Sequence, residues 1–179
     1  GYTIQPYSPA AGTGLSSHEL NLPGTYKEVK DTSIVAQFKV IRNEKSEFLF
    51  KSIAEGEVYI LAWTTTPWTL PSNTALTIGE KITYVQINTF NSYTHQSISV
   101  VLAKDLVGKY FSEKNKDLKL SDYKAGDKNI PFEIVKEFSG KNLIGIAYEQ
   151  LMPYVQPLTD AEKAFVVIAG DFVTTEDGT

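Results

Sequence analysis

At 179 residues and 42% hydrophobic content the chain is long enough for one domain with a real core and fits a soluble globular protein. The absence of cysteine excludes disulfides and thiolate zinc sites, and two histidines far apart, His18 and His95, argue against a histidine-based metal site. A formal net charge of −4 argues against a domain that grips a nucleic-acid backbone by itself, since such binding draws on clustered Lys and Arg.

Twelve glycines, eight prolines, ten tyrosines and nine phenylalanines favour strands and turns over a helical bundle, so the expected fold class is mainly β. No apolar run approaches the roughly 20 residues that a bilayer requires. The N-terminus also lacks the basic-then-apolar pattern of a secretory signal.

Residues 1–23 are rich in Gly, Pro, Ser and Thr without periodicity and read as an extended connector. Ser16 and Glu19 have capping-box spacing, but Pro23 follows soon after and little weight falls on them. From Ser33 the alternation is clear: Ile34, Ala36, Phe38 and Val40 share one face of a strand, Gln37 and Lys39 the other. A charged turn over 44–47 precedes a second strand, 58–63. Residues 84–90 and 97–103 read as a hairpin around Asn91-Ser92. A short helix is expected within 103–111, a solvated excursion over 112–128, and further strands at 132–138 and 143–148. Thr159 with Glu162 predicts a helical turn, and 165–173 reads as an apolar strand buried on both faces.

The second strand runs directly into Trp63-Thr64-Thr65-Thr66-Pro67-Trp68-Thr69-Leu70-Pro71-Ser72-Asn73-Thr74-Ala75. Threonines this dense can offer several hydroxyls to one ligand, and Pro67 and Pro71 fix backbone angles, so a stiff turn rather than a helix is expected. The plainer reading is a strand end followed by a polar turn.

This run resembles, position by position, the threonine-rich element of the editing domain inserted in isoleucyl-tRNA synthetases, Trp-Thr-Thr-Thr-Pro-Trp-Thr-Leu-Pro-x-Asn. Valyl and leucyl relatives are similar but carry Thr-Thr-Arg-Pro, so Thr66 favours the isoleucyl branch. Tyr7-Ser8-Pro9, Gly12-Thr13-Gly14-Leu15-Ser16, Tyr26-Lys27-Glu28-Val29, Leu143-Ile144-Gly145 with Tyr148-Glu149, Asp171-Phe172-Val173 and Glu176-Asp177-Gly178-Thr179 extend the resemblance along nearly all of the chain. It implies a closed or nearly closed β-barrel with a few peripheral helices. It also implies a connector from the catalytic domain over 1–25 and the editing domain over 26–179.

The ligation signatures His-Ile-Gly-His and Lys-Met-Ser-Lys-Ser are not in the sequence, and no glycine-rich phosphate loop is either. The ATP and Mg of the parent enzyme are therefore not expected in this domain, for which no cofactor or metal is expected. What the resemblance implies is the second sieve. An isoleucine site cannot reject valine well on one missing methylene, a limit for which this family is the standard illustration, and hydrolysis of Val-tRNA(Ile) removes the error. The implied partners are the aminoacylated 3′ end of tRNA(Ile) and the catalytic domain of the same polypeptide, in a cytoplasmic, monomeric enzyme.

By the same resemblance Thr64, Thr65 and Thr66 serve the ester carbonyl, the attacking water and the terminal ribose, and Asn73 hydrogen-bonds the substrate or fixes the loop. Trp63, Trp68 and Thr69 are the substrate-binding candidates, with packing the plainer role for Trp63 and a structural role the plainer one for Thr69. The family continues after Asp-Gly-Thr with Gly-Ile-Val-His and an Asp that binds the substrate amino group. Neither Asp171 nor Asp177 matches that Asp, so truncation and feeble hydrolysis are expected. The competing readings are a non-catalytic β module that binds sugar or peptide, a structural insertion that positions tRNA, and the editing domain of a valyl or leucyl relative.

Overall fold

The computed structural model describes residues 4–30, 32–53 and 56–175; the 176–179 stretch named above lies outside the described residues. Contacts divide the chain into two units, Gly1–Thr32 and Ser33–Thr179. In the first, β1 (Tyr7–Ser8) pairs antiparallel with β2 (Thr13–Gly14), and α1 (Ser17–Leu20) follows. The stretch read as extended thus has local structure, and the discounted capping box is real. Ser16 Oγ accepts the Glu19 N–H at 3.3 Å while Glu19 Oε2 accepts the Ser16 N–H at 2.7 Å. A reciprocal cap satisfies its donors locally and needs no long apolar face behind it.

The second unit is built on a five-stranded sheet of order β3-β4-β7-β6-β8. Its strands are β3 (Ile34–Lys39), β4 (Glu57–Thr64), β6 (Thr83–Phe90), β7 (Ser97–Ala103) and β8 (Glu133–Ser139). Only β4 and β7 run parallel. A separate parallel pair joins β5 (Ala75–Ile78) to β9 (Val166–Ala169). Helical pieces are short: α2 (Glu47–Phe50) follows the expected charged turn, and α3 (Val107–Tyr110) extends a 3-10 turn at Lys104–Leu106.

Strand alternation sorts the side chains into two cores. Phe38, Val58, Ile60, Tyr84, Val101 and Ala103 pack with Tyr148 on one face. Val85, Ile87, Ile98, Val100 and Leu102 pack under Phe132 and α3 on the other. Central strands β6 and β7 are therefore buried on both faces, with Gln86 donating to the Leu49 carbonyl at 2.7 Å and to Ser99 Oγ at 2.8 Å among the aliphatic side chains, each of which contributes about 1.5–3 kcal/mol when so buried.

Four expectations need correction. The described strands make open sheets, not a closed barrel. Edge strand β8 carries Glu133, Lys136 and Glu137 and is largely exposed, the charged finish that keeps an edge from pairing further. Residues 143–148 are no strand: a 3-10 turn at Gly140–Leu143 leads into single bridges, Val40 to Tyr148 and Ala147 to Val166, which tie β3 to β9. The strand expected over 165–173 is only β9, with Val167 buried and Ile168 exposed, because Gly170 and Asp171 turn the chain away. The turn at Ala161–Lys163 begins at Asp160, in the left-handed region at φ 50°, without a Thr159 cap.

Candidate functional site

The end of β4 delivers Thr64 into a 3-10 turn, Pro67–Ser72, where a non-helical turn is expected from sequence. Pro67 opens it with a preset φ. The Thr69 N–H donates to the Thr66 carbonyl at 3.0 Å and the Asn73 N–H to the Leu70 carbonyl at 3.0 Å, so the donors missing at Pro67 and Pro71 are not needed. Buried Leu70 anchors the turn to the first core.

Three hydroxyls line up along this turn. Thr64 Oγ1 lies 3.2 Å from Thr66 Oγ1, which lies 3.4 Å from Thr69 Oγ1. Thr69 spends its proton on the Thr66 carbonyl at 2.8 Å, so in the middle contact Thr66 donates to Thr69, and Thr64 in turn donates to Thr66. Thr64 Oγ1 also accepts the Thr66 N–H at 3.0 Å. With every proton directed along the row, the cluster shows its remaining lone pairs outward.

Asn73 caps the end of the 3-10 turn just before β5, where its Nδ2 donates to the Ala75 carbonyl at 2.9 Å and its Oδ1 accepts the Tyr148 hydroxyl at 2.6 Å. Burial pushes that hydroxyl's pKa well above the ordinary tyrosine value, so Tyr148 acts as a neutral donor. A pocket of about 240 Å³ lies between these elements, lined by Phe38, Ala62, Trp63, Thr64, Thr69, Leu70, Asn73 and Leu76. Its floor is apolar core and its polar groups are neutral.

Of the sequence candidates, Trp63, Thr64, Thr69 and Asn73 meet at this pocket. Thr66 is exposed but joined to it through the hydroxyl row, while Thr65 and Trp68, the latter 68% exposed, stand outside the lining. Trp63 falls on the opposite strand face from Thr64, with Leu61, and its ring lies 4.9 Å from the Lys109 ammonium. Sequence reasoning missed the apolar wall of Phe38, Leu70 and Leu76 and the role of Tyr148. The wall was visible only as strand alternation, and Tyr148 only as part of a matching stretch. Among the described residues no group of three or more His, Cys, Asp or Glu is placed to hold a metal ion, and no helix is long and apolar enough to cross a membrane.

No protein-family model matches the chain. Isoleucine–tRNA ligase of Cytophaga hutchinsonii is 65% identical over 179 residues, all of this chain and 15% of the ligase. That of Bacteroides thetaiotaomicron is 61% identical over all of this chain and 16% of its own length. The chain thus spans about 15% of the length of the curated relatives it matches. Among solved structures the GlLeuRS-CP1 chain is similar at TM-score 0.55 and 15% identity, covering 83% of this chain and 51% of that one. The P. knowlesi cytosolic leucyl-tRNA synthetase editing domain is similar at TM-score 0.51 and 9% identity, over 79% and 54%. These two likenesses speak for the fold, and the sequence matches for descent: the chain belongs to the isoleucine–tRNA ligase family, as one segment of that enzyme.

Proposed function

We propose that the segment is the editing domain of an isoleucine–tRNA ligase and hydrolyses the ester of Val-tRNA(Ile). The observation that carries the reading is a row of threonine hydroxyls bordering a small apolar-floored pocket with an amide on its wall, in a chain 65% identical to such a ligase. In the reaction a water oxygen attacks the acyl carbonyl carbon, the bond to the ribose oxygen breaks, and the water's proton ends on that oxygen. Valine and uncharged tRNA leave. Orienting the water and stabilising the carbonyl oxygen are tasks that hydroxyls and amides can perform in a partly dry recess.

The partners in this reading are the aminoacylated end of tRNA(Ile) and the rest of the synthetase polypeptide, in the cytoplasm, with ATP and Mg used elsewhere in the enzyme. Phe38, Ala62, Leu70 and Leu76 supply no charge to meet the substrate ammonium, and the pocket lining holds no carboxylate. Hydrolysis by the 179-residue chain alone is therefore expected to be slow.

The test is Thr66→Ala in the full-length ligase, scored by accumulation of valyl-tRNA(Ile). Unchanged editing would favour a segment that only positions tRNA. A non-hydrolysable valyl-adenosine mimic should also raise the thermal midpoint of the wild-type enzyme, where a free glycan or peptide should not.

A further inference from the structure

We propose that Tyr148 is a positioning residue of this site: its hydroxyl fixes the Asn73 amide in the one orientation that turns an N–H into the pocket, toward the ester carbonyl oxygen. The inference rests on the editing reading above.

Two partners set the amide. Tyr148 donates to Oδ1 at 2.6 Å, and Nδ2 donates to the Ala75 carbonyl at 2.9 Å. Rotating the amide by half a turn would set its oxygen against the part-buried Ala75 carbonyl, acceptor facing acceptor, and would oblige the Tyr148 hydroxyl to give up its donated bond. One Nδ2 proton is thereby committed, and the second has no acceptor among the described residues. Asn73 lines the pocket, so that proton is available to a ligand there.

Tyr148 itself cannot drift. It is 1% exposed, its ring meets Phe38 edge-on at 5.2 Å and Phe165 at 6.1 Å, and its own N–H donates to the Phe165 carbonyl at 2.9 Å. The pocket then has two unlike sides. Asn73 offers a donor, and the threonine row offers lone pairs. An acyl ester fits that polarity in one sense only: carbonyl oxygen toward Asn73, water and ammonium protons toward the threonines. When water attacks, the C=O electron pair moves onto the oxygen beside Asn73. It returns as the bond to the ribose oxygen breaks, and the proton lost by water goes to that ribose oxygen.

The test uses the full-length ligase and pre-formed Val-tRNA(Ile), with kcat and KM for hydrolysis measured alongside the thermal midpoint. Tyr148→Phe, which keeps the ring, should lower kcat about tenfold, the equivalent of one ordinary hydrogen bond, with KM little changed. Asn73→Ala should lower kcat by roughly 10²–10³-fold, as for loss of an oxyanion donor. The double variant should be no slower than Asn73→Ala, because Tyr148 acts only through Asn73. A Tyr148→Phe enzyme as fast as wild type, or losses that multiply, overturns the proposal while slow Asn73→Ala leaves the editing reading standing. Asn73→Ala at the wild-type rate overturns both. Should Tyr148→Phe fail to fold, Asn73→Asp decides instead: it keeps an acceptor for Tyr148 and removes the donor. It is expected to be as slow as Asn73→Ala, and a fast Asn73→Asp overturns the proposal.

Discussion

The two ends of β4 solve the same problem, polar groups at a sheet margin, with opposite chemistry. At its start Glu57 pairs with Lys39 at 2.5 Å and accepts the Tyr59 hydroxyl, and Lys39 also reaches Glu149 at 3.3 Å. The Lys39, Glu57 and Glu149 side chains stay between 37% and 56% exposed, so water supports their charges. At its end Thr64, Thr66, Thr69, Asn73 and Tyr148 form a neutral network around a half-buried pocket. Consecutive residues serve both: Tyr148 turns inward to Asn73 and Glu149 outward to Lys39. Burying a charge without a partner costs far more than burying a satisfied hydroxyl, so polar groups that border an apolar floor are hydroxyls and an amide, while the ions stay at the wetter end.

The severest way to break the comparison is to remove what both ends share. Phe38 is 1% exposed, sits opposite Ile60 in the β3–β4 register, lines the pocket and packs edge-on against Tyr148. Phe38→Ala should destabilise the fold by about 3–5 kcal/mol, read from the denaturant midpoint of the chain, and should abolish hydrolysis in the parent enzyme. A loss under about 1 kcal/mol would mean that the site can collapse into the space left behind.

Thr64→Val comes next and separates the ends. It keeps the shape, removes the acceptor for the Thr66 N–H and the head of the hydroxyl row, and leaves Lys39 and Glu57 untouched. Hydrolysis of Val-tRNA(Ile) should fall by about 10²-fold, while stability changes by about 1 kcal/mol. Equal losses of activity and folding would show that the row is structural. Gly140→Ala tests the frame around both: an added Cβ would stand 2.2 Å from the Gly79 carbonyl, where β8 meets the turn into β6. About 1–3 kcal/mol of stability should be lost, measured by thermal unfolding.

How much of this was legible depends on distance along the chain. The alternation at 34–40 and the hairpin through Asn91 are local patterns, and the structure keeps both. The threonine run announced its position because strand, prolines and hydroxyls are contiguous. The β5–β9 pairing was not readable, since Ala75–Ile78 is four residues long and its partner begins at Val166. Tyr148 and Asn73 are 75 residues apart, and a hydrogen bond at that separation leaves no periodicity to read. The bridges at 147–148 mimic a strand in sequence because burial of Ile146 and Tyr148 imposes the same alternation as a ladder would.

The smallest effect concerns the charged end and its dependence on pH. Lys39, then Tyr59, hold the Glu57 carboxyl below its ordinary value of 4.5, and Glu57, then Glu149, hold the Lys39 ammonium above 10.5. A carboxylate depressed in the folded state contributes stability above its unfolded pKa and loses it as pH falls through the folded one. The stabilisation from Glu57 should therefore be complete at neutral pH and fade below 4.5, while that from Lys39 fades only above 10.5. Glu57→Gln mimics the protonated acid, so its small deficit in thermal midpoint at neutral pH should vanish in acid as wild type becomes equally uncharged there. The Thr64→Val deficit has no titrating group behind it and should stay constant over the same range. If instead the Glu57→Gln deficit persists below 4.5, the carboxylate's charge contributes nothing, and the contrast between a charged and a neutral end is one of shape alone.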